Sequence, residues 1–392
     1  MGKVRVLRII NRFNLGGPTY NATYLTAFLG EEFETLLVGG RHGEEEGDST
    51  YITEKYNVEY QIIDELQREI NFKQDHKAYK KIRKLIQEFK PDVVHTHASK
   101  AGFLGRLAAS KENVPVVVHT FHGHVFHSYF GKLKTNLYKY LERRMAKKSD
   151  AIIAISEIQK KELSEVHRIA PAHKFRVIQL GFDLERFKNC KLEYASAFRE
   201  KYDIKDDSVT ISMIGRLVPI KNHKWVIDRI CEVRKKVGID FNFLIIGDGE
   251  MMGELKRYAG QKQEGLGEQF IIFTSWIKDV AFALGGSDVV VLGSLNEGTP
   301  VSLIEAQASG TPVISTNVGG VKDIVMDGET GFVVDDFDEK EFEHKLTELI
   351  SSQEKREKMS QNGWTFVENK FGYNRLCKET AELYQNLLKT KK

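Results

Sequence analysis

Cysteine is scarce in this sequence of 392 residues: Cys190, Cys231 and Cys377 stand far apart and form no Cys-x-x-Cys pair. That spacing excludes a disulfide framework and a thiolate metal site, and it predicts three unpaired thiols. Long apolar runs are lacking as well, with nothing approaching the roughly 18 residues that a bilayer-crossing helix needs. The chain enters a strand-like run, Val4 to Ile10, without the basic, apolar and small-residue regions of a secretory leader. The expectation is a cytoplasmic protein that does not span a membrane. The one Asp-x-Asp, Asp336-Phe337-Asp338, precedes a helical pattern from Glu339 to Ser351, so helix capping suits it better than metal binding. No strand exit carries Gly-x-Gly-x-x-Gly with an acidic residue about 20 positions later, which argues against a nicotinamide-dependent dehydrogenase. Internal repeats and low-complexity tracts are absent, and the charge runs Glu44 to Glu46 and Lys389 to Lys392 read as solvated.

What the sequence does contain is enough apolar residue for two cores, because 392 residues exceed what one core usually supports. Net charge is +3 overall. Residues 1 to 185 carry roughly +6 and the remainder about −3, so the first half is suited to an anionic partner. Short β-rich runs alternate with amphipathic segments: Val4 to Ile10, Thr35 to Val38, Asp92 to His95, Val114 to Thr120 and Ala151 to Ile155. A second cycle runs through Val209 to Ile214, Phe243 to Ile246, Phe270 to Phe273, Asp288 to Leu292, Pro312 to Ser315 and Gly331 to Val334. The pattern predicts α/β architecture with two doubly wound parallel sheets. Leu180 to about Ile204 reads as the connection between them, and a final helix, Tyr373 to Leu388, as a segment crossing back to the first domain.

Ligands of open parallel sheets bind beyond the carboxyl ends of strands, where helix N-termini gather unpaired N–H groups. The first such exit holds Gly16 and Gly17 before a helix beginning near Thr19, where backbone could approach a phosphate or sugar, or simply turn tightly. A second holds Gly215-Arg216-Leu217-Val218-Pro219-Ile220-Lys221-Asn222, whose two cations suit a diphosphate unless they are merely solvated. The third is Glu297-Gly298-Thr299-Pro300-Val301-Ser302-Leu303-Ile304-Glu305. Thr299 is the expected N-cap, Pro300 the first helical residue, and the N–H groups of Val301, Ser302 and Leu303 the expected anion site. Glu297 and Glu305 can accept hydrogen bonds from sugar and ribose hydroxyls, or serve as surface charges near a cap.

Half of the twelve histidines, His95, His97, His119, His122, His124 and His127, fall in one region. Catalytic or substrate-orienting use of one of them is favoured over zinc binding, since no Asp, Glu or Cys completes an evident ligand set.

These motifs together resemble the retaining GT-B glycosyltransferases of family 4, the group 1 glycosyltransferases, over nearly the whole chain. GRLVPIKN at 215 to 222 and the pair Glu297 and Glu305 are the most specific signals. Gly16-Gly17, Gly247-Asp248-Gly249-Glu250, GGVKDIVMDGETG from Gly319, HTHASKAGFLGR from His95 and HTFHGHVFH from His119 support them, the last two being similar to bacterial members that build surface polysaccharides. The resemblance implies two Rossmann-like domains facing a central cleft. Residues 1–186 would form the acceptor side, with a C-terminal helix at about 371–392 crossing back, and residues 187–370 would bind the nucleotide sugar. It places Arg216 and Lys221 on the diphosphate, Glu305 on the ribose, Trp276 and Ile277 beside the base, and Glu297 with the backbone after Gly298 (Thr299, Pro300, Val301) on the transferred sugar. His122 would contact the sugar near the reacting carbon, and His97, Ser99 and Lys100 are candidates for the acceptor side.

The implied reaction is front-face substitution with retention. The departing diphosphate assists deprotonation of the acceptor hydroxyl, and protein cations take the place of a metal. No cofactor or nucleic acid is implied. The expected partners are a nucleotide-sugar donor, UDP-linked ahead of GDP-linked, and a glycan or lipid-linked acceptor to which a hexose or N-acetylhexosamine is moved. An anionic membrane surface is a further candidate, because Lys132 to Lys148 interleaves seven cations with Leu133, Leu137, Tyr138, Tyr140, Leu141 and Met145, opposed only by Glu142. That would place the enzyme peripherally on the inner membrane face. A nucleotide-sugar epimerase and a non-catalytic carbohydrate-binding scaffold remain alternatives, separable by product analysis.

Overall fold

The computed structural model describes residues 2–14, 17–43, 48–67, 69–122, 132–267 and 269–391, with backbone alone for residues 132–134. The chain divides into two compact units, 1–182 with 371–392, and 183–370.

The first unit is a seven-stranded parallel sheet in the order β3-β2-β1-β4-β5-β6-β7. Its strands are β1 (Val4–Arg12), β2 (Phe33–Gly40), β3 (Tyr60–Ile62), β4 (Val93–His97), β5 (Val116–Phe121), β6 (Ala151–Ala154) and β7 (Phe175–Val177). Side chains alternate between two buried faces, as a parallel sheet covered on both sides requires. Val6, Val93, Val116 and Val118 pack with Leu376, Ala381 and Tyr384 on one face. Leu7, Ile9, Val94 and Val117 pack with Ile82, Ile86 and Leu104 on the other. The C-terminal helix Tyr373–Lys389 therefore contributes to the core of this unit.

The second unit is a six-stranded parallel sheet in the order β10-β9-β8-β11-β12-β13. Its strands are β8 (Val209–Ile214), β9 (Phe241–Ile246), β10 (Ile271–Ser275), β11 (Val289–Leu292), β12 (Val313–Thr316) and β13 (Gly331–Val334). Ile211, Met213, Phe243, Val289 and Val291 meet Ile227 and Leu346 of the flanking helices in one core.

The units divide within the expected connection, at 182/183, but one expectation needs correcting. The stretch from Leu180 to Ile204 is no bare connection: it contains a 3-10 turn, Glu185–Phe187, and a helix, Cys190–Lys201, anchored by fully buried Phe187, Cys190 and Phe198. A further helix, Gln353–Phe371, lies between Glu339–Ser351 and the C-terminal helix. The cysteines are free and buried, their thiols pushed up to about 11, 11 and 12 by desolvation. Asp338 caps helix Glu339–Ser351, accepting the Glu341 N–H at 3.0 Å, as its position suggested. Among the described residues no helix is long and apolar enough to cross a membrane.

Candidate active site

Strand order reverses once in each sheet, between β1 and β4 and between β8 and β11. Helices leave opposite faces of the sheet at such a point, which opens a crevice at the strand ends. Gly17 and His97 follow or end strands at the first reversal and Arg216, Lys221 and Glu297 follow strands at the second, whereas His122 follows β5 and Trp276 follows the edge strand β10.

In the second unit, β8 runs into Gly215 and Arg216 and then a 3-10 turn, Pro219–Lys221, closed by Asn222 in the left-handed conformation. Two backbone contacts hold this turn against the exit of β9: Gly215 N donates to Ile246 O at 3.0 Å and Leu217 N to Asp248 O at 2.9 Å. Gly247, at φ +148°, lies so close that a Cβ there would sit 1.9 Å from Gly215 O. Only glycine fits. Arg216 is exposed, with no side-chain partner among the described residues. Lys221 Nζ instead lies 2.5 Å from Glu297 Oε1, which also accepts from Ser294 Oγ at 2.6 Å. The cation expected on the diphosphate and the carboxylate expected on the sugar thus pair with one another. Leu295 N donates to Ile220 O at 2.8 Å and joins the two loops.

Beyond β11, the loop 293–300 is backed by Gly319, at φ +54°, where a Cβ would lie 1.7 Å from Glu297 O. The helix that follows is Val301–Ala308, capped by Pro300 and not by Thr299. Pro300, with φ −71° and ψ 91°, is extended, so it precedes the first turn instead of starting it, and no side chain caps the end. Leu303 N is taken by Pro300 O at 3.1 Å, which removes it from the expected anion site. Helix geometry leaves Val301 and Ser302 with N–H groups lacking intrahelical acceptors. Glu305 lies farther along this helix with its carboxylate 3.5 Å from Arg186 Nη2. Burial pushes its pKa up to about 7 against the opposing pull of Arg186. Trp276 and Ile277 follow β10, and Trp276 is 61% exposed.

In the first unit Gly17 opens helix Gly17–Ala27, while Gly16 lies outside the described residues. His97 ends β4 and His122 immediately follows β5; His97 Nδ1 and His122 Nε2 are 2.8 Å apart. His97, expected on the acceptor side, has no exposed surface. Ser99 begins helix Ser99–Lys111, and Lys100 is tied to Asp75 and to Glu69 O. His95 and His119 are buried inside their strands, and His124 and His127 lie outside the described residues. No group of three His, Cys, Asp or Glu side chains suited to a metal occurs among the described residues. Arg186 and Ser294, which reach Glu305 and Glu297, had no signal in the sequence, since neither belongs to a spaced motif.

Helix Lys132–Lys147 leaves Leu137 and Tyr140 more than half exposed beside Arg144 and Lys147. Glu142, read as the opposing surface charge, is instead buried against Arg106 at 2.6 Å.

Two doubly wound parallel units define the GT-B class of α/β enzymes, and the comparisons with solved structures agree. A glycosyltransferase from Rickettsia africae superposes with a TM-score of 0.83 at 22% identity, covering 99% of this chain and 100% of that one. Anabaena HepE in complex with UDP gives 0.78 at 18% identity, covering 98% and 100%. Residues 16–186 match the family model described as Glycosyltransferase Family 4, and residues 195–365 the model described as Glycosyl transferases group 1. The chain is 32% identical over 331 residues to an Escherichia coli UDP-Gal:alpha-D-GlcNAc-diphosphoundecaprenol alpha-1,3-galactosyltransferase, covering 84% of each. It is 30% identical to the Staphylococcus aureus capsular polysaccharide biosynthesis glycosyltransferase CapM, covering 86% of this chain and 87% of that protein. The chain belongs to the group 1 glycosyltransferases of family 4, and its activity is glycosyl transfer.

Proposed function

We propose that the protein transfers a hexose or N-acetylhexosamine from a UDP-sugar to a lipid-linked or glycan acceptor in cell-surface polysaccharide synthesis, with retention at the anomeric carbon and without a metal. The observation that carries this reading is the arrangement at the β8–β11 reversal: Arg216 without a side-chain partner among the described residues, Lys221 paired with Glu297, and a helix N-terminus without a side-chain cap that leads to Glu305. Arg216, Lys221 and the N–H groups of Val301 and Ser302 would neutralise the departing diphosphate. The diphosphate displaces Glu297 from Lys221, which frees that carboxylate for the transferred sugar. Glu305 takes the ribose hydroxyls, and Trp276 and Ile277 border the base. Residues 183–370 bind the sugar donor, helped by Gly16 and Gly17 of the first unit, and that unit serves the acceptor through His97, Ser99 and Lys100 and the reacting sugar through His122.

Uridine is supported by the UDP complex of HepE, and a lipid-diphosphate acceptor by the name of the Escherichia coli relative. The exposed Leu137, Tyr140, Arg144 and Lys147 favour docking of helix Lys132–Lys147 on anionic lipid at the inner membrane face. A panel of UDP- and GDP-sugars, offered with and without an acceptor in excess chelator, tests the reading. Acceptor-linked sugar and released UDP are expected; an epimerised nucleotide sugar formed without acceptor would overturn it.

A further inference from the structure

Arg8, in the middle of β1, has no exposed surface and, among the described residues, no carboxylate partner. A guanidinium can only donate, and a buried one needs lone pairs facing it. Nη1 donates to Thr26 Oγ1 at 2.8 Å and Nη2 reaches the Tyr384 hydroxyl at 3.4 Å. That hydroxyl lies 2.5 Å from His95 Nδ1. Since it accepts from Arg8, its proton is left for His95 Nδ1; any other arrangement orphans a buried O–H. His95 consequently carries its own proton on Nε2, which donates to Thr120 Oγ1 at 2.7 Å. The buried cation sets the direction of the whole chain, and Tyr384 of the C-terminal helix passes it on.

His97 sits next in this arrangement, its ring centroid 4.2 Å from that of His95 and 5.1 Å from that of His122. Arg8 is the register partner of His95, whereas His122 lies beyond the end of β5, so the cation and His122 are on opposite sides of His97 along the strands. Burial holds both rings neutral, with the pKa of His122 lowered to about 4 and that of His97 well below its usual value. In a hydrogen bond between two neutral imidazoles one nitrogen donates and the other is bare. His97 Nε2 and His122 Nδ1 are both buried without a partner among the described residues, so either direction of this bond leaves one N–H unpaired, and the Arg8 charge favours a lone pair over an N–H at His97 Nε2.

We propose that His97 is a positioning residue whose Nδ1–H donates to His122 Nε2 and so fixes His122 as the Nδ1–H tautomer, a hydrogen-bond donor to the sugar and not a base. This rests on the reading that His122 contacts the transferred sugar. It gives His97 a task different from direct acceptor contact, and it gives the buried Arg8, Tyr384 and His95 a part in setting the polarity of the site.

The test is imidazole 15N spectroscopy of the full-length, histidine-labelled protein without substrate, with the His122 signals assigned by their loss in His122→Gln. His122 should carry its proton on Nδ1. In His97→Phe, which keeps a ring but cannot donate, that preference should be lost and kcat should fall by up to about a hundredfold, the scale of a misplaced reacting group. In His97→Gln, whose amide N–H can donate, both should recover substantially. A wild-type His122 protonated on Nε2, a tautomer unchanged in His97→Phe, or a His97→Gln no better than His97→Phe at equal thermal stability would each overturn the proposal. Full transfer by His122→Phe would remove only the sugar contact, and the spectrum would still decide the pairing.

Discussion

Glu305 gives the site a pH dependence whose size can be worked out. Its side chain, on helix Val301–Ala308, is 18% exposed, and desolvation outweighs the Arg186 guanidinium at 3.5 Å to leave the pKa at about 7. As an acceptor for two ribose hydroxyls it serves best ionised. With a pKa near 7, about nine-tenths of the molecules are ionised at pH 8 and about one-tenth at pH 6. A ligand that selects the ionised form then binds about tenfold more weakly at pH 6 than at pH 8, close to 1.4 kcal/mol. Calorimetric titration with a UDP-sugar in the absence of acceptor measures this without interference, because a doubly esterified diphosphate does not titrate in that range. Glu305→Gln should flatten the profile. Arg186→Met removes the opposing cation, raises the pKa further and should move the midpoint to higher pH. The sign for folding is opposite: a carboxyl whose pKa is raised in the native state adds stability that is complete below its ordinary range and is lost as pH rises through about 7. Affinity that stays level from pH 6 to 8 in the wild type, or an equal slope in Glu305→Gln, would refute the assignment of Glu305 to the ribose.

Arg216→Ala and Lys221→Ala should each lower kcat by about tenfold to a thousandfold at saturating donor with folding intact, the scale of losing a charge-stabilising group at a reacting centre; near-normal turnover in both would remove them from the diphosphate. Glu142→Ala, which strands the fully buried Arg106, should cost roughly 3–5 kcal/mol in urea unfolding, whereas a surface charge would cost almost nothing. The protein should sediment with anionic but not neutral vesicles at low salt, and charge reversal at Lys132, Lys134 and Lys139 should weaken this; recovery in the supernatant throughout would reject membrane docking and leave glycosyl transfer untouched.

The long strands were legible because a parallel sheet buried on both faces writes itself as unbroken apolar runs such as Val289–Leu292. Tyr60–Ile62 and Phe175–Val177, three residues each at the two edges of their sheet, are too short and too mixed in burial to show a period. Helix Cys190–Lys201 escaped because its apolar anchors are few among charged residues and exposed Leu192. At the site, Arg216, Lys221, Glu297 and Glu305 were readable from spacing along single loops. Which of them would touch was not: Lys221 with Glu297 and His97 with His122 are pairings between neighbouring strand exits, set by sheet order, and Arg186 reaches Glu305 from the 3-10 turn Glu185–Phe187 far away in sequence. The Thr299 cap failed for a local reason, since Pro300 takes an extended ψ and occupies the cap position itself.

The central claim is tested most directly by incubating the purified protein, in excess chelator, with radiolabelled UDP-sugars and a panel of lipid-linked and glycan acceptors, then following label into the acceptor fraction and reading the anomeric configuration of the product by NMR. One labelled sugar should move to one of these acceptors with stoichiometric release of UDP and an alpha linkage preserved from the donor, and Arg216→Ala should abolish most of it. Inverted configuration, transfer that depends on an added divalent ion, or label that stays on the nucleotide with every sugar tested would contradict the account.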